Sequence, residues 1–383
     1  MKGIFTSEAV SVGHPDCVCA AITNAIMDCA VSQDPETRCG LEALVSKNLV
    51  VISGEISTKA EVDYEKIVKD TLKFIGYNAE TPGFNYEDVE IINAIKKQSP
   101  DIAQAVNKEK VCWGDQGIMF GFACSETEQL FPATALIANK LCEFYSEYIK
   151  SDDRFLPDMK SQVTINYDTN EIDTVLVSAS HKDVFANIDE LKQAILLNVI
   201  TPVMQELDCV TGKYKITAAT KFIINPSGRF VICGPESDAG VTGRKLICDS
   251  YGGHGRIGGG YMGGKDYSKS DRSLALYCRY IAKNVVAAGL AEQCEIQVAT
   301  AIGKEDIVSL NVNTFGTIKE GLTDEDLTLK IRETLQFTPE AVEKALDLKH
   351  SVSYPCSAGG YFGRTATENC FSWERTNLID ILK

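Results

Sequence analysis

Residues 49–75 read LVVISGEISTKAEVDYEKIVKDTLKFI, an apolar run followed by a polar connection and a segment with helical periodicity. The apolar run at 49–56 predicts a β-strand. In residues 63–75, Ile67, Leu72 and Ile75 can share one apolar face of a helix. This order predicts a strand covered by a helix, which is the basic unit of an α+β domain.

The same order recurs in the other two thirds of the chain. Residues 174–178 predict a strand before a helix at 189–199, and residues 310–315 predict a third strand. A third helix is expected at Thr323, because Thr323 and Asp326 have the spacing of a capping box. A period this long excludes a solenoid and indicates three similar α+β domains, unless strand, loop and helix recur by chance.

Length and composition agree with a multidomain enzyme. The 383 residues suit two or three domains, and 44% hydrophobic with 24% charged residues is typical of globular proteins. The formal net charge of −15 repels nucleic acid and anionic membranes unless basic groups are concentrated locally. We therefore expect neither partner, and an anionic ligand would need a basic pocket.

The N-terminus MKGIFTSEAV lacks an apolar signal core, and no apolar run approaches the roughly 18 residues of a membrane span. A cytoplasmic protein is the resulting prediction. The fourteen cysteines form no compact framework, so we expect reduced thiols.

The segment GHPDC at 13–17 precedes a helix with apolar periodicity, and Pro15 suits its first turn. His14 and Asp16 would then lie at a helix N-terminus, where the dipole favours anions. The alternative is a histidine with a purely structural role.

The densest candidate region is residues 226–272, which are rich in glycine and cations. Asp238 and Asp271 are candidates for binding ligand amino groups or Mg²⁺. The loop GGGYMGGK is not a Walker A motif, because Asp266 follows its lysine. The alternative is a mobile surface connection. The cations that can neutralise phosphate oxygens here are Arg229, Arg244, Lys245, Lys265 and Lys269.

Two further segments are polar where packing does not require it. KQSPDIAQAVN at 97–107 predicts a loop in which Gln98 and Asp101 are candidates for substrate contacts, with a solvated connection as the alternative. GDQGIMFGFA places Asp115 before an apolar strand at 118–123, either beside a ligand or simply in a turn.

Nine motifs in this order resemble the S-adenosylmethionine synthetase family over nearly the whole chain, a highly specific pattern. They are FTSEAVSVGHPD (5–16), ISGEIST (52–58), QSPDIAQ (98–104), GDQGIMFG (114–121), PSGRFVICGP (226–235), DAGVTGRK (238–245), YGG (251–253), GGKDYSKSDRS (263–273) and FGR (362–364). The resemblance implies three interlocked α+β domains with pseudo-threefold symmetry, over residues 1–101, 112–230 and 231–383. It also implies a homodimer or dimer of dimers with active sites between subunits.

The implied reaction joins L-methionine to the 5′ carbon of ATP and releases the triphosphate, which is hydrolysed to pyrophosphate and phosphate. The implied cofactors are Mg²⁺ and K⁺. A neutral sulfur attacks while a highly charged group leaves, so positioning and charge stabilisation should dominate catalysis without a protein nucleophile.

The resemblance also assigns roles to individual residues. His14 would help the 5′ oxygen depart, Asp16 and Asp271 would bind Mg²⁺, and Glu42 would lie at the K⁺ site. The implied catalytic set is His14, Lys160, Lys245 and Lys265. The implied ATP contacts are His14, Lys160, Arg229, Phe230, Asp238, Arg244, Lys245 and Lys265. The implied methionine contacts are Glu55, Gln98, Asp115, Asp238, Lys269 and Ile302.

The first helix departs from the family pattern, GHPDK followed by D-Q-x-S-D. This sequence has Cys17, Ala20, Ala21, Thr23 and Asn24 at those positions. Four of them have the spacing of one helix face, from which a lysine and two aspartates are absent. Removing a whole charge network is better tolerated than removing one member, so we infer coordinated remodelling.

Further departures are Tyr261 and Met262 in place of a small residue and Phe, Gly263 in place of serine, Trp113 before GDQG, and Tyr361 in place of histidine. We hypothesise that these changes reshape the triphosphate or nucleoside pocket. The alternatives are a divergent paralogue with another substrate or nucleotide, and a non-catalytic partner subunit.

Overall fold

The structure is a computed structural model that describes residues 2–97 and 110–383. Its strands are β1 Ile4–Val10, β2 Arg38–Ser46, β3 Leu49–Ser57, β4 Glu90–Lys96, β5 Gly117–Cys124, β6 Phe155–Asn166, β7 Glu171–His181, β8 Lys221–Ile224, β9 Gly240–Val241, β10 Gln293–Thr300 and β11 Ser309–Asn313. Its α-helices are α1 Pro15–Gln33, α2 Tyr64–Ile75, α3 Ala133–Tyr148, α4 Ile188–Ile195, α5 Thr201–Glu206, α6 Leu246–Asp249, α7 Ser270–Ala287, α8 Asp324–Thr334, α9 Pro339–Leu346 and α10 Ile379–Leu382.

These strands form three sheets, and each sheet is covered by helices. The sheet β4-β3-β2-β9 packs against α1, the sheet β1-β6-β7-β8 against α3, and the sheet β11-β10-β5 against α7. Each sheet and its helices enclose a separate hydrophobic core. The predicted α+β fold with three domains is confirmed.

The three sheets exchange strands in a cycle. Strand β1 pairs with β6 in the sheet of the central segment, and β5 of that segment pairs with β10 in the third sheet. Strand β9 of the C-terminal segment pairs with β2 in the first sheet. Each segment therefore supplies an edge strand to the next sheet, so the predicted boundaries at 101, 112 and 230 divide every sheet.

The repeated strand and helix units are present in all three segments. Strand β3 and helix α2 match the first prediction, and the Asp63 carboxylate caps α2 by accepting from Lys66 N at 3.0 Å. The capping box of Thr323 and Asp326 is confirmed at the start of α8.

Three elements differ in their bounds from the predictions. Strand β7 is longer than residues 174–178, because it is paired along both edges with β6 and β8. The second helix begins at Ile188, continues through a π-helical turn at Leu196–Ile200 and ends with α5. The third strand ends at Asn313, because Phe315 adopts a left-handed conformation with φ 55°.

None of the helices in the described residues combines the length and apolar character needed to cross a membrane. All fourteen cysteines are free, and thirteen of them are buried, with Cys29 the exception. Nine of the buried cysteines belong to the three cores and behave there as small apolar residues.

The strand exchange predicts that the three cores unfold together. Both tryptophans, Trp113 and Trp373, lie in the third core, whereas Val175 lies in the second. Val175→Ala should cost about 2 kcal/mol and lower the urea midpoint of tryptophan fluorescence together with that of far-UV circular dichroism. The exposed Val210→Ala is the control and should change neither midpoint. A fluorescence midpoint that stays at the wild-type value would show independent unfolding.

Candidate active site

A first cluster of candidate residues surrounds the N-terminus of α1. Pro15 occupies the first helical turn, where its missing N–H leaves no helical bond unmade. His14 is the N-cap in an extended conformation, with φ −64° and ψ 138°. Its Nδ1 accepts from the backbone N of Asp16 at 3.2 Å. The predicted placement of His14 and Asp16 at a helix N-terminus is therefore what the structure shows.

Asp16 is held from two sides by residues of the C-terminal segment. Its Oδ1 accepts from Val241 N at 2.9 Å, and its Oδ2 accepts from Lys245 Nζ at 2.6 Å. Arg244 Nε lies 3.9 Å from the same carboxylate. Burial opposes ionisation, but the hydrogen bonds from Lys245 and Val241 outweigh it and lower the pKa of Asp16. Asp16 is therefore a carboxylate at neutral pH.

His14 is uncharged in this environment. Burial and then the charge of Lys245 lower its pKa to about 4, although Asp16 acts in the opposite direction. Because its Nδ1 accepts a hydrogen bond, the neutral ring carries its proton on Nε2. His14 can therefore donate a hydrogen bond to a ligand oxygen without adding a buried positive charge.

Lys160 and Asp238 are close enough to His14 for their charges to affect its pKa. Lys160 is an exposed residue of β6 that pairs with Val10 of β1, and its charge also lowers the pKa of His14. Asp238 follows the 3-10 turn Gly234–Glu236, and its charge raises that pKa. The first cluster thus combines a helix N-terminus with Lys160, Arg244 and Lys245, an arrangement suited to a polyanion.

Glu42 borders the first cluster through strand pairing. It lies on β2 next to β9, and Oε2 of Glu42 accepts a hydrogen bond from the hydroxyl of Thr242. The side chain of Glu42 is exposed on the face of the sheet opposite to α1. Its oxygens are therefore accessible to a cation at the sheet surface.

A second cluster forms where the glycine-rich loop enters α7. Lys265 Nζ donates to Asp271 Oδ2 at 2.9 Å, and Lys269 Nζ donates to Glu55 Oε1 at 3.1 Å. Lys265 also forms a backbone bridge with Gly40 of β2. Asp271 lies in the first turn of α7, where the helix dipole stabilises its charge.

Asp115 and Ile302 lie at the end of the paired strands β5 and β10, near Asp271. The hydroxyl of Thr300 donates to Asp115 O at 3.0 Å, and Ile302 follows with 59% of its surface exposed. A Cβ added at Gly260 would lie 2.0 Å from Asp271 Cγ. Glycine is therefore required at 260 for the loop to pass this close to the carboxylate.

Two predicted residues, Arg229 and Phe230, lie apart from these contacts. Arg229 donates to Asp183 Oδ2 at 2.8 Å on the surface, and Phe230 N donates to His181 Nε2 at 3.1 Å. Neither residue has a side-chain bond to either cluster among the described contacts. Gln98, together with the candidate Asp101, lies outside the described residues.

The two clusters share strand β2 but remain separate within one chain. In the described residues, no side-chain hydrogen bond or ion pair joins a member of the first cluster to a member of the second. Gly40 and Glu42 point to the same face of β2, because they are two residues apart. A Cβ on Gly40 would lie 3.8 Å from Lys269 Cε, whereas Glu42 contacts Thr242. Each chain therefore carries two separate clusters along one sheet surface.

The sequence did not identify three groups that shape the first cluster. Val241 N and the Thr242 hydroxyl bind the carboxylates of Asp16 and Glu42. They lie within DAGVTGRK, but a backbone N–H has no sequence signature. Asp249 is fully buried in an apolar stretch, and burial raises its pKa to about 7 against the charge of Lys245.

The carboxylates fit a metal ion that arrives with phosphate oxygens. No group of three or more candidate metal ligands exists among the residues that the structure describes. Asp16 and Asp271 each face one lysine, Lys245 and Lys265 respectively. Mg²⁺ commonly binds one or two carboxylates and completes its shell with water and phosphate. The donor set therefore suits Mg²⁺ bound to a polyphosphate.

The departures from the family pattern lie mostly inside the protein. Trp113 donates to Phe337 O at 3.1 Å within the third core, and its carbonyl accepts from the backbone N of Gly303, next to Ile302, at 3.0 Å. Met262 lines a small cavity that Asp271 and Gly260 also line. All five changes on α1 are buried, namely Cys17, Ala20, Ala21, Thr23 and Asn24.

Comparison with known proteins gives one consistent result. The models of the S-adenosylmethionine synthetase N-terminal, central and C-terminal domains match residues 2–100, 110–230 and 232–375. The S-adenosylmethionine synthase of Desulfosudis oleivorans is 44% identical, over 99% of this chain and 97% of its own length.

The low pKa of His14 predicts a pH effect on stability. Between about pH 6.5 and pH 4 the unfolded chain binds the proton and the folded chain does not, so stability falls as pH decreases through this range. His14→Asn keeps an N-cap acceptor without titrating. The wild type should lose about 2 kcal/mol more than His14→Asn in unfolding free energy between about pH 7 and pH 5. Equal losses in urea titrations would contradict the assignment of a neutral His14.

Proposed function

Because the chain belongs to the S-adenosylmethionine synthetase family and makes S-adenosylmethionine from methionine and ATP, we propose that its two clusters divide this reaction between them. The proposal is supported by one observation above all. The neutral His14 and the cations beside it face the same helix N-terminus, which is suited to a leaving triphosphate.

The first cluster would bind ATP and stabilise the leaving group. The Nε2 proton of His14 would bond the 5′ oxygen as the carbon–oxygen bond breaks. Lys160, Arg244 and Lys245 would neutralise the triphosphate, and their fixed positions avoid reorganisation during the reaction. Asp238 would contact the nucleoside or methionine, and Arg229 and Phe230 would complete the nucleotide site after movement of their surface loop.

The second cluster would bind methionine and the distal phosphates. Glu55 and Asp115 can accept hydrogen bonds from the ammonium group of methionine, and Lys269 can pair with the carboxylate of methionine. Ile302, and Gln98 by resemblance, would complete this contact set. Lys265 would hold the triphosphate during attack by sulfur and during its hydrolysis to pyrophosphate and phosphate.

The metal ions would support both halves. Asp16 and Asp271 would hold Mg²⁺ together with phosphate oxygens, and Glu42 would hold K⁺ at the sheet surface. Mg²⁺ would supply charge stabilisation for the departing triphosphate. The lysines that now face Asp16 and Asp271 would be free to bind phosphate when the metal is present.

We also propose that a second copy of the chain completes each active site. The sheet surface carrying both clusters also exposes apolar side chains, Leu44 with 38% and Ile92 with 45% of their surface. A two-fold dimer through this surface would place the first cluster of one chain opposite the second cluster of its partner. Such a homodimer would contain two composite sites. A dimer of dimers would contain two in each of its dimers.

No observation favours a divergent paralogue or a non-catalytic subunit. Every implied catalytic side chain is present, and the ion pairs Lys245–Asp16 and Lys265–Asp271 hold them in place. The direct test incubates the purified protein with methionine, ATP, Mg²⁺ and K⁺ and measures products by mass spectrometry. S-adenosylmethionine and phosphate should appear together. A folded protein that forms neither would reject the proposed site.

A mixed dimer would test the composite site. His14→Ala and Lys265→Ala should each abolish most activity, because each removes one half of both sites. Co-expression of the two variants should restore about a quarter of wild-type activity, since half of the dimers are mixed and each has one intact site. Co-expression of His14→Ala with Lys245→Ala is the matched control and should restore none. Equal inactivity of both mixtures would place the complete site within one chain.

A further inference from the structure

Asn24 is a buried polar residue that links helix α1 to the loop before Lys265. Its Oδ1 accepts from Gly264 N at 3.0 Å. Its Nδ2 donates to Ser357 Oγ at 3.0 Å and lies 3.4 Å from Tyr361 Oη. The side chain is completely buried, so these contacts are not replaced by bulk water. Both the oxygen and the nitrogen of the side-chain amide are therefore hydrogen-bonded.

Gly264 has little freedom to move once Asn24 holds it. Its carbonyl accepts from Leu41 N at 2.9 Å, and its φ is +63°. A Cβ at this position would lie 2.8 Å from Leu41 O and 2.9 Å from Thr23 Cβ. The backbone before Lys265 is thus fixed between α1 and β2. The direction in which the Lys265 side chain leaves the loop depends on that position.

Tyr261, within the same loop, packs closely against the neighbouring Gly263. Tyr261 is buried, and a Cβ at Gly263 would lie 2.2 Å from its hydroxyl. Burial and then the neighbouring Tyr361 raise the pKa of Tyr261, so its hydroxyl stays neutral. Asn24 is also neutral, so neither Tyr261 nor Asn24 requires a buried counter-ion. Asn24 and Tyr261 therefore support the loop by a hydrogen bond and by steric fit, and the Arg272 guanidinium also donates to Met262 O at 3.3 Å.

We propose that Asn24 is a positioning residue, which holds the Lys265 ammonium opposite Asp271 through its bond to Gly264 N. The inference rests on the proposed role of Lys265 in triphosphate binding. An amide can accept from Gly264 and donate to Ser357 at the same time, which neither an apolar residue nor a carboxylate can do. Asn24 thereby also connects the helix that carries His14 to the second cluster.

The test compares Asn24→Leu with Thr23→Val in the dimeric enzyme. Thr23 is equally buried and touches the same loop, but its hydroxyl bonds only to Cys19 O and Ala20 O within α1. Inhibition by inorganic tripolyphosphate measures binding at the proposed triphosphate site, and KM for methionine measures binding at the proposed methionine site. Asn24→Leu should weaken tripolyphosphate inhibition and raise KM for ATP about tenfold, the scale of one lost buried hydrogen bond. KM for methionine should stay unchanged, and Thr23→Val should match the wild type.

A double mutant separates positioning from general damage. If Asn24 acts through Lys265, adding Asn24→Leu to Lys265→Ala should weaken tripolyphosphate binding no further. Independent, additive effects would overturn the inference, as would wild-type tripolyphosphate binding by Asn24→Leu. Wild-type binding by Lys265→Ala would instead reject the proposed role of Lys265. Circular dichroism and size-exclusion chromatography confirm folding, and Asn24→Ala replaces Asn24→Leu if the larger side chain prevents it.

Discussion

The close approach of strand β9 to the start of helix α1 is the contact on which the rest of the site depends. A Cβ at Gly240 would lie 2.2 Å from the backbone carbon of Pro15, so only glycine permits this distance. The approach brings Val241 N and Lys245 to the carboxylate of Asp16, which lies more than two hundred positions earlier in the chain. The buried, neutral state of His14 follows from the same arrangement.

Local features of the fold could be predicted, whereas long-range partners could not. The start of α1 and the capping box of Thr323 depend on neighbouring residues, and both are as expected. The Asp16–Lys245 and Glu55–Lys269 pairs join residues more than two hundred positions apart. Motifs identified these side chains individually but contained no information about their pairing. The resemblance implied interlocked domains but not which strands are exchanged, because pairing between distant strands leaves no local pattern.

The altered face of α1 illustrates how a charge network can be replaced as a unit. The side chains of Cys17 and Ala20 are buried, and no polar neighbour requires a hydrogen bond from them. Asn24 supplies both a hydrogen-bond donor and a hydrogen-bond acceptor. Tyr261 occupies space that a side chain at 263 would need. The changes in sequence are therefore compensated by shape and hydrogen bonding, and the charged residues of the two clusters are left in place.

The cyclic exchange of strands has a consequence for how the chain is made on the ribosome. The free edge of β2 stays uncovered until residues 240–241 have left the exit tunnel, and β5 waits for the synthesis of residues 293–300. No sheet can be completed from its own segment, and of the three sheets only the central one, which takes β1 from the start of the chain, is complete before β9 has been made. Nascent chains carry open strand edges for much of their synthesis, which exposes them to aggregation and makes chaperone contact valuable.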